Sequence, residues 1–211
     1  FTPLIRENKV REYKMKTGIA TVAAFFSLVI SLQALANTES QFENIEEVET
    51  GWLDTGSGNS LSEDPSRFGL VDESGNMVLT STSSGTNIHS HYLANEASSN
   101  TCEYAGKMKL SNAYGAGMGV TFASDYPNSD SYYRLRMEPS HSTFYLSPHN
   151  ASVSGDIETG IRPIADEWYR FLIQWEDTGS QTLIKAKVWL SSDSEPSDWQ
   201  VDAADSSSDH F

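Results

Sequence analysis

Two strands joined by a short polar turn dominate the sequence between Trp168 and Leu190. Apolar residues alternate with polar ones in both arms, a period of two that is typical of a strand with one face in a core, and no helical period fits either arm. The apolar rows are Tyr169, Phe171, Ile173 and Trp175 in the first arm and Ile184, Ala186, Val188 and Leu190 in the second. Residues 177–181 between the arms include Gly179, which can adopt positive φ. This stretch therefore predicts a β-hairpin.

Further stretches alternate in the same way, and none shows a convincing helical period. Strands are predicted at 67–71, 77–81, 87–93, 101–110, 115–123, 132–137 and 143–147. Residues 51–62, which are rich in glycine and serine, are predicted to form a loop. In the strand at 115–123, the small residues leave room for a second backbone or a ligand. About ten short strands without βα alternation predict an all-β fold, an antiparallel jelly-roll β-sandwich.

The beginning of the chain is predicted to lie outside the folded domain. Residues 15–36 have the features of a secretory signal: a basic start, an apolar run at 19–30 and a small-x-small cleavage site that ends at Ala36. Residues 1–14 have no signal character and are interpreted as a non-native upstream extension. Cleavage after Ala36 is expected to leave one secreted domain at 37–211, with no membrane attachment.

The charge balance excludes one class of partner. From Asn37 on, the chain has 9 Lys and Arg against 27 Asp and Glu, a net charge of −18. Nucleic acid is therefore not an expected partner, since binding it requires clustered positive charge. Such an acidic surface favours solubility in a salty medium or retention of cations. The single cysteine, Cys102, allows no intrachain disulfide and is predicted to be a small buried residue.

Four segments carry a family resemblance: NIHSHY at 87–92, YPNSDSYYRLRM at 126–137, EWYRFLIQWEDTGSQTLIKAKVW at 167–189 and EPSDWQVDA at 195–203. Together they resemble secreted bacterial domains of the concanavalin A-like lectin/glucanase superfamily, relatives of laminin-G-like sandwiches. The resemblance covers about residues 40–205 and implies a jelly roll, but the superfamily includes sugar-binding modules, glycanases, polysaccharide lyases and adhesin parts. Its members commonly continue past this point, which implies that the last strand or strands are missing here.

Polar side chains that stand opposite apolar rows supply a candidate glycan-binding site. The candidates are His89 and His91 on one predicted strand, Tyr132, Arg134 and Arg136 on a second, Tyr145 on a third, and Arg170 and Gln174 on a fourth. His89 and His91 are expected to face outward, opposite Ile88 and Tyr92. If the strands share a sheet, this face is basic and aromatic, and arginine suits carboxylates while aromatic rings stack on sugars. The alternative is that each arginine pairs with a neighbouring acid.

Metal-binding and hydrolytic signatures are weaker. The residues Asp125, Asn128 and Asp130 crowd one loop with oxygen ligands that suit a structural Ca²⁺, and an Asx-rich turn is the alternative. His89 and His91 have a spacing that can bind zinc, but the sequence fixes no third ligand nearby. The closely spaced acid triplet of glycanases is absent, and so is a glycine-framed nucleophile turn.

The sequence therefore favours a secreted, non-catalytic carbohydrate-binding or cell-surface interaction domain. Its expected partner is an extracellular glycan or a cell-surface polysaccharide. The alternative is a jelly-roll polysaccharide lyase or glycoside hydrolase that acts on an acidic glycan, because a lyase uses Arg, Asn or Gln to neutralise a uronate and Tyr or His to move protons. A purely structural domain of a larger surface protein is the third possibility.

Overall fold

A computed structural model describes residues 3–6, 52–55, 67–81, 88–92, 100–111, 116–208 and 210. All strand pairs in these ranges are antiparallel, which confirms the predicted all-β class. The strands are β1 (Pro3–Arg6), β2 (Trp52–Asp54), β3 (Phe68–Asp72), β4 (Met77–Ser81), β5 (Ser90–Tyr92), β6 (Thr101–Leu110), β7 (Met118–Phe122), β8 (Tyr132–Met137), β9 (Tyr145–His149), β10 (Ser154–Asp156), β11 (Trp168–Asp177), β12 (Thr182–Leu190) and β13 (Val201–Asp205). Over these described ranges, no helix has the length and apolar character needed to cross a membrane.

The predicted hairpin lies inside a large sheet of eight strands, in the order β10-β13-β12-β11-β6-β1-β4-β3. Strand β11 pairs with β12 from Tyr169 opposite Leu190 to Asp177 opposite Thr182, and its other edge pairs with β6. In the turn, Asp177 Oδ1 accepts a hydrogen bond from the backbone N–H of Gly179 at 2.7 Å, and Gly179 has a φ of 78°. The hairpin and its turn chemistry are confirmed.

A three-stranded sheet, β7-β8-β9, packs against the large sheet. Alternate residues of the two sheets belong to one buried core. Rings meet across it, with Phe122 5.5 Å from Trp175 and Phe144 5.6 Å from Tyr169 between centroids. Burial of each large apolar side chain contributes roughly 1.5–3 kcal/mol to folding. The two sheets are thus joined face to face, and the other face of the three-stranded sheet is left for polar side chains.

One buried hydrogen bond also joins the two sheets. The hydroxyl of Tyr133 on β8 donates to Asp205 Oδ2 on β13 at 2.8 Å. Asp205 also accepts from the backbone N–H of Ser207 at 2.8 Å and of Ser152 at 3.4 Å. Burial acts to raise the pKa of Asp205, but these hydrogen bonds outweigh it and hold the pKa below its usual value. The carboxylate therefore stays charged inside the core.

Some elements differ from the prediction. Residues 51–62 were expected to form a loop, but Trp52–Asp54 forms β2 and pairs with β5. That strand has three residues, too few for alternation to be visible. Pro3–Arg6 forms β1 between β4 and β6, although no element was predicted there. The interpretation of residues 1–14 as an upstream extension stays a prediction, and the predicted signal at 15–36 lies outside the described residues.

Candidate functional site

The polar face of the three-stranded sheet carries most of the predicted site. From β8, Tyr132, Arg134 and Arg136 project away from the core, because Tyr133, Leu135 and Met137 fill the alternate positions that face it. Tyr145 lies beside Arg136 on the neighbouring strand β9. The histidines come from β5 and the residue before it, and their ring centroids lie 5.1 Å (His89) and 5.4 Å (His91) from that of Tyr132. Six of the eight predicted residues therefore come together.

The prediction that His91 faces outward is wrong, and His89 is half-buried. His91 is only 3% exposed, its ring stacks on Tyr126 at 4.5 Å, and its Nδ1 is 2.9 Å from Ser124 Oγ. The Nε2 atom of His89 is buried as well. Alternation along one strand shows which side chains share a face, but it does not show that the loop after β7 and strand β8 cover that face.

Arg170 and Gln174 do not belong to this cluster. The strands β5, β8 and β11 lie in three different sheets, so the shared sheet assumed from the sequence does not form. Arg170 is exposed on the outer face of the large sheet, opposite Lys107 and Trp189. Gln174 Nε2 donates to Glu103 Oε2 at 2.8 Å on the same outer face.

Arg134 is a buried cation without a carboxylate partner among the described residues. It is 6% exposed, and the acceptors that its donors reach within the described ranges are neutral: Ser147 Oγ at 3.2 Å, Pro148 O at 3.3 Å and Ser147 O at 3.5 Å. Its guanidinium lies over the ring of Tyr132, 5.4 Å from the centroid. Burial, and then the charge of Arg136, lowers the pKa of Arg134. The charge of Glu138 acts in the opposite direction on that pKa, but no carboxylate among the described residues pairs directly with Arg134, and a buried charge without a direct partner is energetically unfavourable.

Arg136 instead belongs to a hydrogen-bonded network on the accessible side of the cluster. Its Nη2 donates to Tyr145 OH at 3.2 Å and lies 3.3 Å from Glu138 Oε1. Tyr145 OH donates to Glu138 Oε1 at 2.7 Å, and the ring of His141 lies 3.9 Å from that of Tyr145. Side-chain exposure is 21% for Arg136 and 34% for Glu138. The alternative that each arginine pairs with an acid therefore holds for Arg136, whereas Arg134 has no such partner in the part of the chain that the structure describes.

Buried polar atoms without a hydrogen-bond partner concentrate in the same cluster. In the part of the chain that the structure describes, nine such side-chain atoms occur, and five of them lie here. They are His89 Nε2, His91 Nε2, Asp130 Oδ1, Tyr132 OH and Arg136 Nε. Each such atom costs roughly 1–3 kcal/mol, so they are rare in native structures unless a ligand or water meets them. The cluster therefore offers both donors and acceptors to a polar ligand.

The protonation states in the cluster suit binding better than proton transfer. Burial, with the charges of His91 and Arg134, lowers the pKa of His89 to about 3. Burial lowers the pKa of His91 to about 4 against the opposing effect of Asp130. Burial and Asp130 raise the pKa of Tyr132 to about 12. At neutral pH all three side chains are uncharged, and none has a pKa near the value that favours general acid–base catalysis.

In the loop proposed for calcium, three of the four carboxylate oxygens of Asp125 and Asp130 have partners within the protein, and Asp130 Oδ1 has none among the described residues. Asp125 Oδ1 accepts from Asn128 Nδ2 at 3.2 Å, and its Oδ2 accepts from Ser129 Oγ at 2.8 Å. Asp130 Oδ2 lies 3.0 Å from His149 Nε2. Within the described ranges, no three His, Cys, Asp or Glu side chains are grouped so that they could hold a metal. Calcium in this loop stays a prediction.

The structure adds residues that the sequence did not single out. His149 stacks on Tyr132 at 4.7 Å, whereas the strand predicted at 143–147 ended before it. If β9 is known to extend to His149, alternation along the strand places His149 on the same face as Tyr145, and it could have been named as a candidate. Glu138 and His141 lie in the connection between β8 and β9, where no alternation exists to indicate them.

The chain matches no protein-family model, no curated protein and no solved structure. Its function must be argued from the site.

Proposed function

We propose that this protein is a secreted, non-catalytic carbohydrate-binding or cell-surface interaction domain that binds an acidic glycan on the polar face of β7-β8-β9. The observation that carries the proposal is Arg134, a buried guanidinium without a carboxylate partner among the described residues. The chain has 29 Asp and Glu, so acids that could have paired with it are plentiful. An anionic group from a ligand would supply the missing charge.

The neighbours of Arg134 fit a sugar as well as an anion. Tyr145 and His141 present rings at the accessible edge, and rings of this kind stack on sugar faces. Arg136 Nε and Tyr132 OH are buried without a hydrogen-bond partner, and they could donate to ring or hydroxyl oxygens once a side-chain movement opens the cluster to a ligand. In a chain of net charge −15, the positive charges of these arginines favour this cluster as the binding site for an extracellular or cell-surface acidic polysaccharide.

The proposal also includes a jelly-roll topology for the two sheets and export of the protein from the cell. Two antiparallel sheets that share one core support a jelly-roll β-sandwich of the concanavalin A-like type. The signal-like sequence at 15–36 supports export. A structural Ca²⁺ near Asp125 and Asp130 belongs to the same proposal, and calcium titration followed by the melting temperature tests it.

Matched arginine substitutions test the site. Arg136→Ala removes an accessible cation, and Arg134→Met removes the buried one while an unbranched apolar chain fills its space. Arg134→Met is expected to weaken binding to an acidic polysaccharide at least about tenfold, as loss of a charge-assisted contact does, and Arg136→Ala is expected to weaken it less, because Glu138 already meets that charge; the melting temperature should change by only a few degrees in both. Arg170→Ala, an exposed arginine outside the cluster, is the control and should bind normally. Equal loss in all three variants, or no binding by the wild type on an array of acidic glycans, would refute the proposal.

A polysaccharide lyase is the second candidate, favoured by the buried hydroxyl of Tyr132 beside Arg134 and the two histidines. In such an enzyme an arginine neutralises the uronate and a tyrosine or histidine moves the protons. The pKa values of the histidines and of Tyr132 lie far from neutrality, which weighs against it. Ultraviolet absorbance from unsaturated uronate ends, released from an acidic polysaccharide, would decide for the lyase.

A further inference from the structure

The carboxylate of Glu138 lies where an anionic ligand would meet Arg136. Its Oε1 atom accepts from Tyr145 OH at 2.7 Å and lies 3.3 Å from Arg136 Nη2, which itself donates to Tyr145 OH at 3.2 Å. Glu138 is the first residue after β8 and its side chain is 34% exposed. The carboxylate can therefore leave Arg136 without breaking a strand pairing.

The two arginines of the site are thus unequal. In the described part of the chain, Arg134 donates to neutral oxygens, whereas the charge of Arg136 is met directly by the carboxylate of Glu138. The hydrogen bond from Tyr145, and then the charge of Arg136, lowers the pKa of Glu138, so its negative charge is present at neutral pH. A ligand carboxylate that approaches Arg136 must displace Glu138 or remain close to a like charge.

We propose that Glu138 competes internally for the anion-binding position at Arg136 and thereby selects glycans whose charges are widely spaced over polymers that carry a charge on every sugar. The inference rests on the proposed function, because it assigns a selectivity role within the same site. A glycan with widely spaced carboxylates places one at Arg134 and leaves Glu138 in position, where it accepts a sugar hydroxyl. In a polymer with a carboxylate on every sugar, the carboxylate next to the one bound at Arg134 lies close to Glu138, and the two negative charges repel each other.

Glu138→Gln tests this role, because glutamine keeps an oxygen for Tyr145 OH and removes the charge. The probes are polygalacturonate, with a carboxylate on every sugar, and hyaluronan, with one on every second sugar. We expect the variant to bind polygalacturonate roughly threefold more tightly than the wild type, the size of one partly exposed charge contact, with a smaller gain for hyaluronan and no gain in high salt.

Glu158→Gln is the matched control. Glu158 accepts from Thr143 Oγ1 at 3.2 Å and its Oε1 lies 2.7 Å from His141 Nε2. The control removes the same charge from the same end of the sheet but leaves the pair between Glu138 and Arg136 intact. It should leave the preference between the two polymers unchanged, and an equal gain in Glu158→Gln would overturn the inference.

The outcomes separate this inference from the proposed function. If the wild type and Glu138→Gln both bind polygalacturonate with equal affinity, or the variant binds it more weakly, the selectivity role is refuted while glycan binding stands. A weaker affinity would mean that Glu138 positions Arg136 for the ligand. If only the variant binds, the competition is supported. If neither protein binds either polymer, both proposals fail.

Discussion

Acid sensitivity follows from the burial of the histidine pair. His91 is 3% exposed and has a pKa of about 4, whereas a histidine in the unfolded chain has a pKa of 6.5. His89, with a pKa of about 3, is held neutral mainly by burial, and the positive charges of Arg134 and Arg136 act in the same direction. Because both pKa values are lowered on folding, the unfolded chain binds more protons as the pH falls below 6.5. Stability is therefore lost as the medium becomes more acidic, down to the folded pKa values.

The magnitude follows from the two pKa values of each histidine. At pH 5 the unfolded imidazole is almost fully protonated, while His91 stays mostly neutral in the folded protein. This difference lowers the free energy of unfolding by about 2 kcal/mol between pH 8 and pH 5, and His89 contributes about 2 kcal/mol more. In His91→Asn only the part due to His89 remains, so the fall should be about 2 kcal/mol smaller than in the wild type. The asparagine keeps a polar group within reach of Ser124 Oγ.

Urea unfolding at pH 8 and pH 5, at equal ionic strength and followed by tryptophan fluorescence, measures these differences. Protonation of carboxylates reduces the self-repulsion of the acidic chain as the pH falls, which acts in the opposite direction. The contribution of His91 is therefore obtained by comparing the change in unfolding free energy between pH 8 and pH 5 in the wild type and in His91→Asn, and not from the wild type alone. An unchanged difference in His91→Asn would show that this side chain is not held neutral by burial.

Two further changes test the packing that supports the site. Tyr133→Phe removes the buried donor to Asp205. Because the acceptor is charged, the free energy of unfolding, measured with urea, is expected to fall by about 1.5–3 kcal/mol. A fall below about 0.5 kcal/mol would contradict this assignment. Gly119→Ala would place a Cβ 2.5 Å from both Arg136 Cβ and Leu135 O, so β7 and β8 must separate. Binding of the acidic polysaccharide and the melting temperature should both fall, and a variant with wild-type binding would show that Arg136 does not depend on this close approach.

The long strands were predictable from the sequence because their alternation extends over enough residues. Thr101–Leu110 and the hairpin arms are placed where the period of two predicts them, and the turn at Gly179 follows from its residues. Short strands such as Trp52–Asp54 give no periodicity to detect. The residues of a strand also do not show which other strand it pairs with. For this reason the sequence places Arg170 and Arg134 on one face, although their strands lie in different sheets.

The candidate site was predicted as a set of exposed side chains, but the structure buries its inner half. Parity correctly separated Arg134 from Leu135, yet it gave no means of recognising that His89 and His91 cover Tyr132. Burial depends on contacts between segments that are distant in the chain. For the same reason, the sequence could not indicate that no carboxylate pairs with Arg134 among the described residues.

The three-stranded sheet is connected more locally than the sheet that supports it. Its strands follow one another within residues 118–149, and each pairs with the next. In the large sheet, by contrast, β6 meets β11, and the hydrogen bond between Glu103 and Gln174 joins residues 71 positions apart. Contacts of short sequence separation close smaller loops, which costs less chain entropy and permits faster formation. The strand that carries Arg134 and Arg136 can therefore acquire its register early in folding, before the large sheet closes behind it.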